Sequence, residues 1–328
     1  MRVLWTHNFN PAKLNAGVFM FTAAEGLKAI GVDVQLEYLG NLRSPLNIFE
    51  AQKHVKKISK DFDLVHAQYG SACAIVTSAV KHCPKVLSLR GSDWNVHTAS
   101  FGFLYWHTRL AKLMTQLAIE KYDLIIAVSN RMVLDLQQKF PNVRTIALPS
   151  PINLDRFVPV DKKQARLLLG FPNNEGKWVL FTSENRNSSI KRYSLARQAV
   201  DLANMKEGNL KLRLASGLPH SEIPLFVAAC DLILCTSENE GWPNSIKEAL
   251  ACNIPFVSTD VSDLLDIADK EPTCRICPPD AAVLAENICD VLSTARTENL
   301  RRHVIDMDIR TISERLLELY VDLVSRKR

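Results

Sequence analysis

No stretch of this 328-residue sequence reaches the roughly 18 uninterrupted apolar residues that a membrane-spanning helix needs. Glycine and proline are sparse, at 12 and 15 residues, which excludes a collagen-like or linker-rich chain. Cysteine occurs eight times, but Cys73, Cys230, Cys235, Cys252 and Cys289 lie in apolar or Ala-rich stretches, where a free thiol behaves as a small hydrophobe. Such usage suits a reducing cytoplasm. Cys274-Arg275-Ile276-Cys277 has no second CxxC or His pair beside it, so it reads as a short strand entering Pro278-Pro279 rather than as a zinc site. After Met1-Arg2-Val3-Leu4-Trp5-Thr6 the chain turns polar where a signal peptide would stay apolar, so a retained first strand is expected there.

What is present is ordinary globular composition, with 47% hydrophobic and 23% charged residues. At about 100–200 residues per domain, the length suggests two lobes. The net charge of +5 is divided unevenly: residues 1–150 carry 17 Lys and Arg against 10 Asp and Glu, and the remainder carries 23 against 25. Lys53, Lys56, Lys57 and Lys60 recur at helical spacing, and Arg109, Lys112 and Lys121 accompany the aromatic-rich run Phe101, Phe103, Leu104, Tyr105 and Trp106. Two readings stay open for these helices, a solvated face with its aromatics turned inward, or a face for an anionic membrane or acceptor. Nucleic acid is not expected, because no recognition motif accompanies the charge.

Short β-rich runs alternate with amphipathic ones throughout, the pattern of parallel sheets built from βαβ units. In the first half, strands are expected at Val3–Thr6, Val32–Leu36, Leu64–His66, Lys85–Leu89, Leu124–Val128 and Val143–Ala147, with helices near 18–30, 47–60, 70–82, 103–121 and 130–139. Leu148 to Pro159 contains three prolines and reads as an extended linker. Beyond it, strands are expected at Trp178–Thr182, Leu210–Leu214, Leu232–Thr236, Pro255–Ser258 and Cys274–Ile276, with helices near 190–204, 221–229, 244–252, 280–293 and 308–326. The expected fold class is therefore α/β, two Rossmann-like doubly wound domains at 1–150 and 151–310 facing a cleft, followed by an amphipathic helix at 311–328. Ligands of such folds bind at the C-terminal ends of the strands.

One constellation stands out. After the expected strand at 232–236 comes Ser237-Glu238-Asn239-Glu240-Gly241-Trp242-Pro243-Asn244-Ser245-Ile246-Lys247-Glu248. Gly241 and Pro243 force a turn, Asn244 is expected as a helix N-cap, and Glu248 lies one helical turn in. The N–H groups of such a helix start suit a phosphate. A carboxylate can accept hydrogen bonds from two vicinal hydroxyls, so Glu240 and Glu248 flanking that phosphate suit a nucleotide-sugar. Arg186 and Lys191 follow another strand and are placed to neutralise a diphosphate, whose charge grows as it departs.

These motifs resemble those of the retaining glycosyltransferases of family four, group 1 glycosyltransferases of GT-B fold. The resemblance rests on Glu240-x7-Glu248, on Arg186-x4-Lys191, on Pro255 to Asp260, on Ser129-Asn130 and on Asn153 to Pro159, in that family's order over nearly the whole chain. It implies that Glu240 contacts the transferred sugar, Glu248 the ribose, and Arg186 and Lys191 the diphosphate. It makes Glu240, Arg186, Lys191 and Asp93 candidate catalytic residues, and Gly241, Trp242, Pro243, Asn244, Ser245 and Gly17 further candidate donor contacts. It implies a metal-independent, retaining, hexosyltransferase-like reaction in which the leaving phosphate helps deprotonate the acceptor, with residues 1–150 on the acceptor side, 151–310 binding the nucleotide-sugar, and the helix at 311–328 returning to the first domain. No cofactor is expected, since the nucleotide-sugar is a substrate.

Asn15-Ala16-Gly17 stands where many relatives carry two glycines, and Arg90 where many carry His. Arg90, Ser92 and Asp93 are candidate acceptor-side residues. Arg90 cannot act as a base. Asp93 reads either as orienting the acceptor hydroxyl or as an N-cap or salt-bridge partner of Arg90. His66 and His97 are further candidates. The function expected is transfer of a sugar to a hydroxyl of a glycan or lipid-linked glycan in surface-polysaccharide biosynthesis, in the cytoplasm or at the cytoplasmic membrane face. The alternatives are a non-catalytic nucleotide-sugar-binding subunit and a GT-B-shaped nucleotide-sugar epimerase.

Overall fold

The computed structural model describes residues 1–10, 16–96, 98, 102–171, 176–183, 188–218, 221–295 and 299–327. The chain forms two compact units, Met1–Pro151 with Ile309–Arg328, and Ile152–Asp308.

In the first unit the elements follow as β1 (Arg2–His7), α1 (Val18–Ala29), β2 (Asp33–Tyr38), α2 (Pro45–Ile58), β3 (Leu64–Ala67), α3 (Ser71–Thr77), β4 (Lys85–Leu89), α4 (Phe103–Ile119), β5 (Leu124–Ala127), α5 (Asn130–Lys139) and β6 (Thr145–Ala147). All strand pairs are parallel, in the order β2-β1-β3-β4-β5-β6. Interior strands read as apolar runs because both faces are covered, and every residue of β3, β4 and β5 is buried, while β2 at the edge exposes Asp33, Gln35 and Tyr38. Ser44 and Ser129 cap α2 and α5 through hydrogen bonds to Asn47 and Met132 N–H. The helix expected over 70–82 ends at Thr77, after which the chain tightens into three-residue turns at Ala79 and Val80.

The second unit runs α6 (Lys162–Leu168), β7 (Lys177–Thr182), α7 (Tyr193–Glu207), β8 (Leu210–Ala215), α8 (Ile223–Ala228), β9 (Leu232–Cys235), α9 (Asn244–Ala251), β10 (Phe256–Thr259), α10 (Leu265–Ala268), β11 (Arg275–Cys277) and α11 (Ala281–Ser293). Its parallel strands are ordered β11-β10-β9-β7-β8. Two short helices, α6 and α10, were not expected from sequence. Arg166 anchors α6, donating to Asp231 Oδ2 at 2.8 Å and to the carbonyls of Ala229 and Gly176, with its guanidinium 4.5 Å from the Trp178 ring centre. Cys274 and Cys277 are buried free thiols, pushed by burial to about 12 and about 11.

The chain ends in α12 (Ile309–Lys327), which belongs to the first unit and sets Ile312, Leu316, Tyr320 and Leu323 into its core beside α1. The two helices approach so closely that a Cβ on Gly26 would collide with Ser313 Oγ and Ile309. The division between the two units therefore falls after Pro151 and after Asp308. Among the described residues no helix is long and apolar enough to cross a membrane.

Candidate functional site

Strand order decides which loops meet. In the second unit the chain steps from β7 outward to β8, then crosses back to β9 on the other side of β7, so β7 and β9 flank the point where strand order reverses. Ligands of open α/β sheets bind outside the strand ends at such a point. The loop after β7 carries Lys191, and the loop after β9 carries Glu240.

These loops are stitched together. Glu238 N–H donates to Ile190 O at 2.8 Å, Thr236 Oγ1 donates to Lys191 O at 2.8 Å, and Arg192 donates to the carbonyls of Thr236 and Ser237, each at 2.6 Å. Arg192 has left-handed backbone torsions, φ 51° and ψ 51°, at the N-cap of α7. That conformation is costly for a non-glycine residue and persists where surrounding contacts over-determine it. The helix expected from 190 begins three residues later for this reason. Across the stitched loops Lys191 Nζ donates to Glu240 Oε1 at 2.5 Å, and Ser237 Oγ donates to the same oxygen at 2.8 Å. Both charged side chains keep partial exposure, 32% and 18%. Thr259 Oγ1 and Ser262 Oγ bond the carbonyls of Ser237 and Gly241, each at 2.6 Å, and fix the loop from behind.

Helix α9 starts directly beyond Gly241, Trp242 and Pro243, all buried. Its N-cap is Pro243, with φ −65° and ψ 111°, and no side chain caps it. The expected cap at Asn244 is thus corrected: proline's fixed φ takes the cap position, and Asn244 becomes the first helical residue. Asn244 is exposed and Ser245 half-buried, and the first N–H groups of a helix have no acceptor within it. Glu248, one turn further on, is half-buried; burial pushes its carboxyl up to about 7, opposed by Lys247 and Arg156. Lys247 is itself fully buried, with Nζ 5.6 Å from the Trp242 ring centre. The structure thus brings Lys191, Glu240 and the start of α9 together on one sheet end, while Arg186 lies outside the described residues.

In the first unit, Gly17 caps α1 with φ 75°, and a Cβ there would press on the Phe9 ring at 3.0 Å, so position and torsion both call for glycine. Asn15 and His97 lie outside the described residues. Arg90 and Asp93 follow β4, and both turn inward. The fully buried Asp93 carboxylate accepts N–H bonds from Gly70, Arg90 and Gly91 at 2.8–2.9 Å. Burial raises its pKa even against those bonds. With its oxygens turned onto backbone donors, Asp93 holds the turn rather than presenting a carboxylate to an acceptor. Its bond to Arg90 is with the backbone N–H, not with the guanidinium. That guanidinium donates to Gln68 Oε1 at 2.6 Å and to Ser150 Oγ at 3.0 Å, over the Phe19 ring, and burial lowers its pKa to about 10. Ser92 remains exposed, 2.8 Å from the Tyr69 hydroxyl.

His66 is closed off as well. Trp5 Nε1 donates to Tyr320 Oη at 3.0 Å, so the Tyr320 hydroxyl proton is free to point at His66 Nδ1, 2.5 Å away, which leaves His66 Nε2–H to donate to Ser88 Oγ at 2.8 Å. Burial and the nearby Arg90 hold the imidazole neutral, well below its ordinary range. Sequence reasoning missed Arg192, Ser237, Gln68, Ser150 and Tyr320 in these roles. Tyr320 is 254 residues from His66, on a helix whose sequence shows only amphipathic spacing.

Residues 10–156 match the family described as Glycosyltransferase Family 4, and residues 191–294 match Glycosyl transferases group 1. Over 243 residues the chain is 27% identical to TuaC of Bacillus subtilis (strain 168), a glycosyltransferase assigned to teichuronic acid biosynthesis. That match covers 69% of this chain and 60% of TuaC, so the chain spans less than two thirds of that relative's length. Among solved structures, sucrose-phosphate synthase from Thermosynechococcus elongatus superposes with a TM-score of 0.79 at 18% identity, covering 99% of this chain and all of that one. HepE of Anabaena, solved in complex with UDP-glucose, gives a TM-score of 0.68 at 17% identity, covering 98% of this chain and all of that one. At these identities the two superpositions speak for the fold.

Proposed function

The chain belongs to the group 1 and Family 4 glycosyltransferases of GT-B fold, and from that premise we propose that it moves a sugar from a nucleotide-sugar to a hydroxyl of a glycan or lipid-linked glycan, with retention at the anomeric carbon and without a metal. The observation that carries this reading is the contact of Lys191 with Glu240 at the strand-order reversal, beside the open start of α9.

A nucleoside diphosphate seated there meets Lys191 and the first N–H groups of α9, from Asn244 and Ser245, and the role of second cation in this proposal goes to Arg186, as the family resemblance implies. Lys191 and Glu240 hold each other in the free protein. A diphosphate draws the lysine away and leaves the Glu240 carboxylate for sugar hydroxyls, while Glu248 accepts from the ribose hydroxyls. During transfer the bond from the anomeric carbon to the β-phosphate oxygen breaks, the acceptor oxygen bonds that carbon, and the acceptor proton passes to the leaving phosphate. Fixed cations at that phosphate stabilise the transition state more than the ground state. In this reading Gly17, Arg90 and Ser92 belong to the acceptor-side unit, and Asp93 is a positioning residue.

The relative assigned to teichuronic acid biosynthesis supports a surface polysaccharide as product, and the neighbour bound to UDP-glucose supports a nucleotide-sugar donor. The place of action in this proposal is the cytoplasmic membrane face, in keeping with eight free cysteines. The test incubates the full chain with nucleotide-sugars, first screened by thermal shift, and extracted lipid-linked acceptors in EDTA. Nucleoside diphosphate release that needs the acceptor, with the anomeric configuration kept in the product, is expected. An epimer formed without acceptor, or donor binding without turnover, overturns the proposal.

A further inference from the structure

Helix α4 carries an unusual outer face. Trp106, Leu110, Leu113 and Leu117 are 65%, 56%, 51% and 63% exposed, and their spacing places all four within about 60° of arc at 100° per residue. The opposite face holds Thr108, Ala111, Thr115 and Ala118, all buried. The exposed stripe is therefore a second apolar face rather than a poorly packed core face.

Cations border it. The Arg109 guanidinium lies 5.5 Å and 5.9 Å from the Tyr105 and Trp106 ring centres. Lys121 is exposed just beyond the helix end, where Glu120 is the neighbouring carboxylate. Helix α2 packs on α3, which packs on α4, and right-handed crossovers between successive strands put all three on one side of the sheet. On that side α2 exposes Leu46 and Phe49, with Lys53 Nζ 4.4 Å from the Phe49 ring centre, followed by exposed Lys56, Lys57 and Lys60.

We propose that the outer face of α4 is a docking surface for an anionic lipid bilayer: Trp106, Leu110, Leu113 and Leu117 enter the boundary between headgroups and acyl chains, and Arg109 with the α2 lysines meets lipid phosphates. The stripe has the form of an interfacial helix, apolar on one side, cationic at its margin, and too polar on its inner side to cross. A second copy of the chain is the poorer occupant. Four side chains fall far short of the roughly 20–30 residues a side of a stable interface, and a two-fold contact would bring like-charged margins together. The inference rests on the reading of a membrane-borne acceptor and names the surface that would reach it.

The tryptophans supply a direct readout, because Trp5, Trp94, Trp178 and Trp242 are at most 8% exposed. The full chain is mixed with vesicles of phosphatidylcholine containing a third phosphatidylglycerol, or of phosphatidylcholine alone. With the anionic vesicles, sedimentation, a blue-shifted emission and at least twofold less acrylamide quenching are expected; Trp106→Phe keeps sedimentation and loses the shift. Leu110→Ser with Leu113→Ser, both at exposed positions and checked by thermal melting, lowers vesicle affinity at least tenfold, and 0.5 M salt weakens it several-fold. Nucleoside diphosphate binding by thermal shift stays unchanged in that variant, which separates this inference from the proposed function. Wild-type affinity in the double variant, unchanged Trp106 emission on binding, equal binding to neutral vesicles, or a dimer dissolved by the double variant each overturn it.

Discussion

The second unit sets a lysine and a glutamate against each other across two loops, at partial exposure. The first unit has its own carboxylate and cation at a strand end, yet Asp93 is fixed to backbone N–H groups and Arg90 to Gln68 and Ser150, both turned inward. The same residue types at equivalent ends of parallel strands thus do different work. A charge paired with another charge is available for exchange, whereas a carboxylate held by three backbone donors is part of the fold, since displacing it would strand buried N–H groups. The units differ in charge too: the first, with 22 Lys and Arg against 13 Asp and Glu, exposes an apolar stripe on α4, while the second carries 18 against 22.

Substitution at Asp93 tests the contrast most severely. Asp93→Ala leaves the N–H groups of Gly70, Arg90 and Gly91 without acceptors, and at about 1–3 kcal/mol for each buried donor, offset by relief of the buried charge, we expect a loss of about 4 kcal/mol in urea unfolding. A stable Asp93→Ala protein that has lost turnover would instead put this carboxylate at the reacting centre. In the other unit, Glu240→Ala and Lys191→Ala should leave unfolding nearly unchanged and lower turnover by about 10²–10³-fold, the scale of one lost transition-state contact. Should both variants keep wild-type initial rates, the site lies elsewhere.

Glu248 gives the comparison a pH signature. Its carboxyl titrates at about 7 in the folded chain against an ordinary 4.5, so the native state holds an extra proton between those values. Its contribution to stability therefore falls as pH rises through that window, by about 3 kcal/mol. Urea unfolding of the wild type relative to Glu248→Gln should show that decline. Nucleotide affinity should rise over the same window, because the ionised form accepts ribose hydroxyls better. A pH-independent stability difference between the two proteins would show that burial does not raise this carboxyl, and nucleotide affinity unchanged in Glu248→Gln would remove Glu248 from the site. The smallest effect is expected from Tyr320→Phe, which breaks the bonds to Trp5 and His66 while keeping the ring in the core. A cost of about 1–2 kcal/mol follows from the polar partners left buried, with nucleotide binding by the second unit unaffected.

Much of the architecture was legible in the sequence. Interior strands such as Leu124–Ala127 and Leu232–Cys235 are apolar runs bounded by polar turns, and they can sit only where both faces are covered. The segment from Glu240 to Glu248 was legible because its turn and helix are local. Other local patterns misled. Asn244 has the side chain of an N-cap, but Pro243 occupies the cap, and the short helices α6 and α10 are too brief to show a period. Arg192 gave no sign of its left-handed backbone, which its bonds to the Thr236 and Ser237 carbonyls impose.

The sequence by itself determined the alternation of strands and helices, the asymmetry of charge, and the residue types present at each strand end. Only the tertiary structure decided which of those side chains meet. Lys191 finds Glu240 across 49 residues because β7 and β9 are sheet neighbours, and Tyr320 finds His66 because α12 lies in the core of the first unit. A hydrogen bond acts over about 3 Å, and whether a buried carboxylate is held by backbone or by a lysine depends on that distance alone. Spacing along the chain does not encode it.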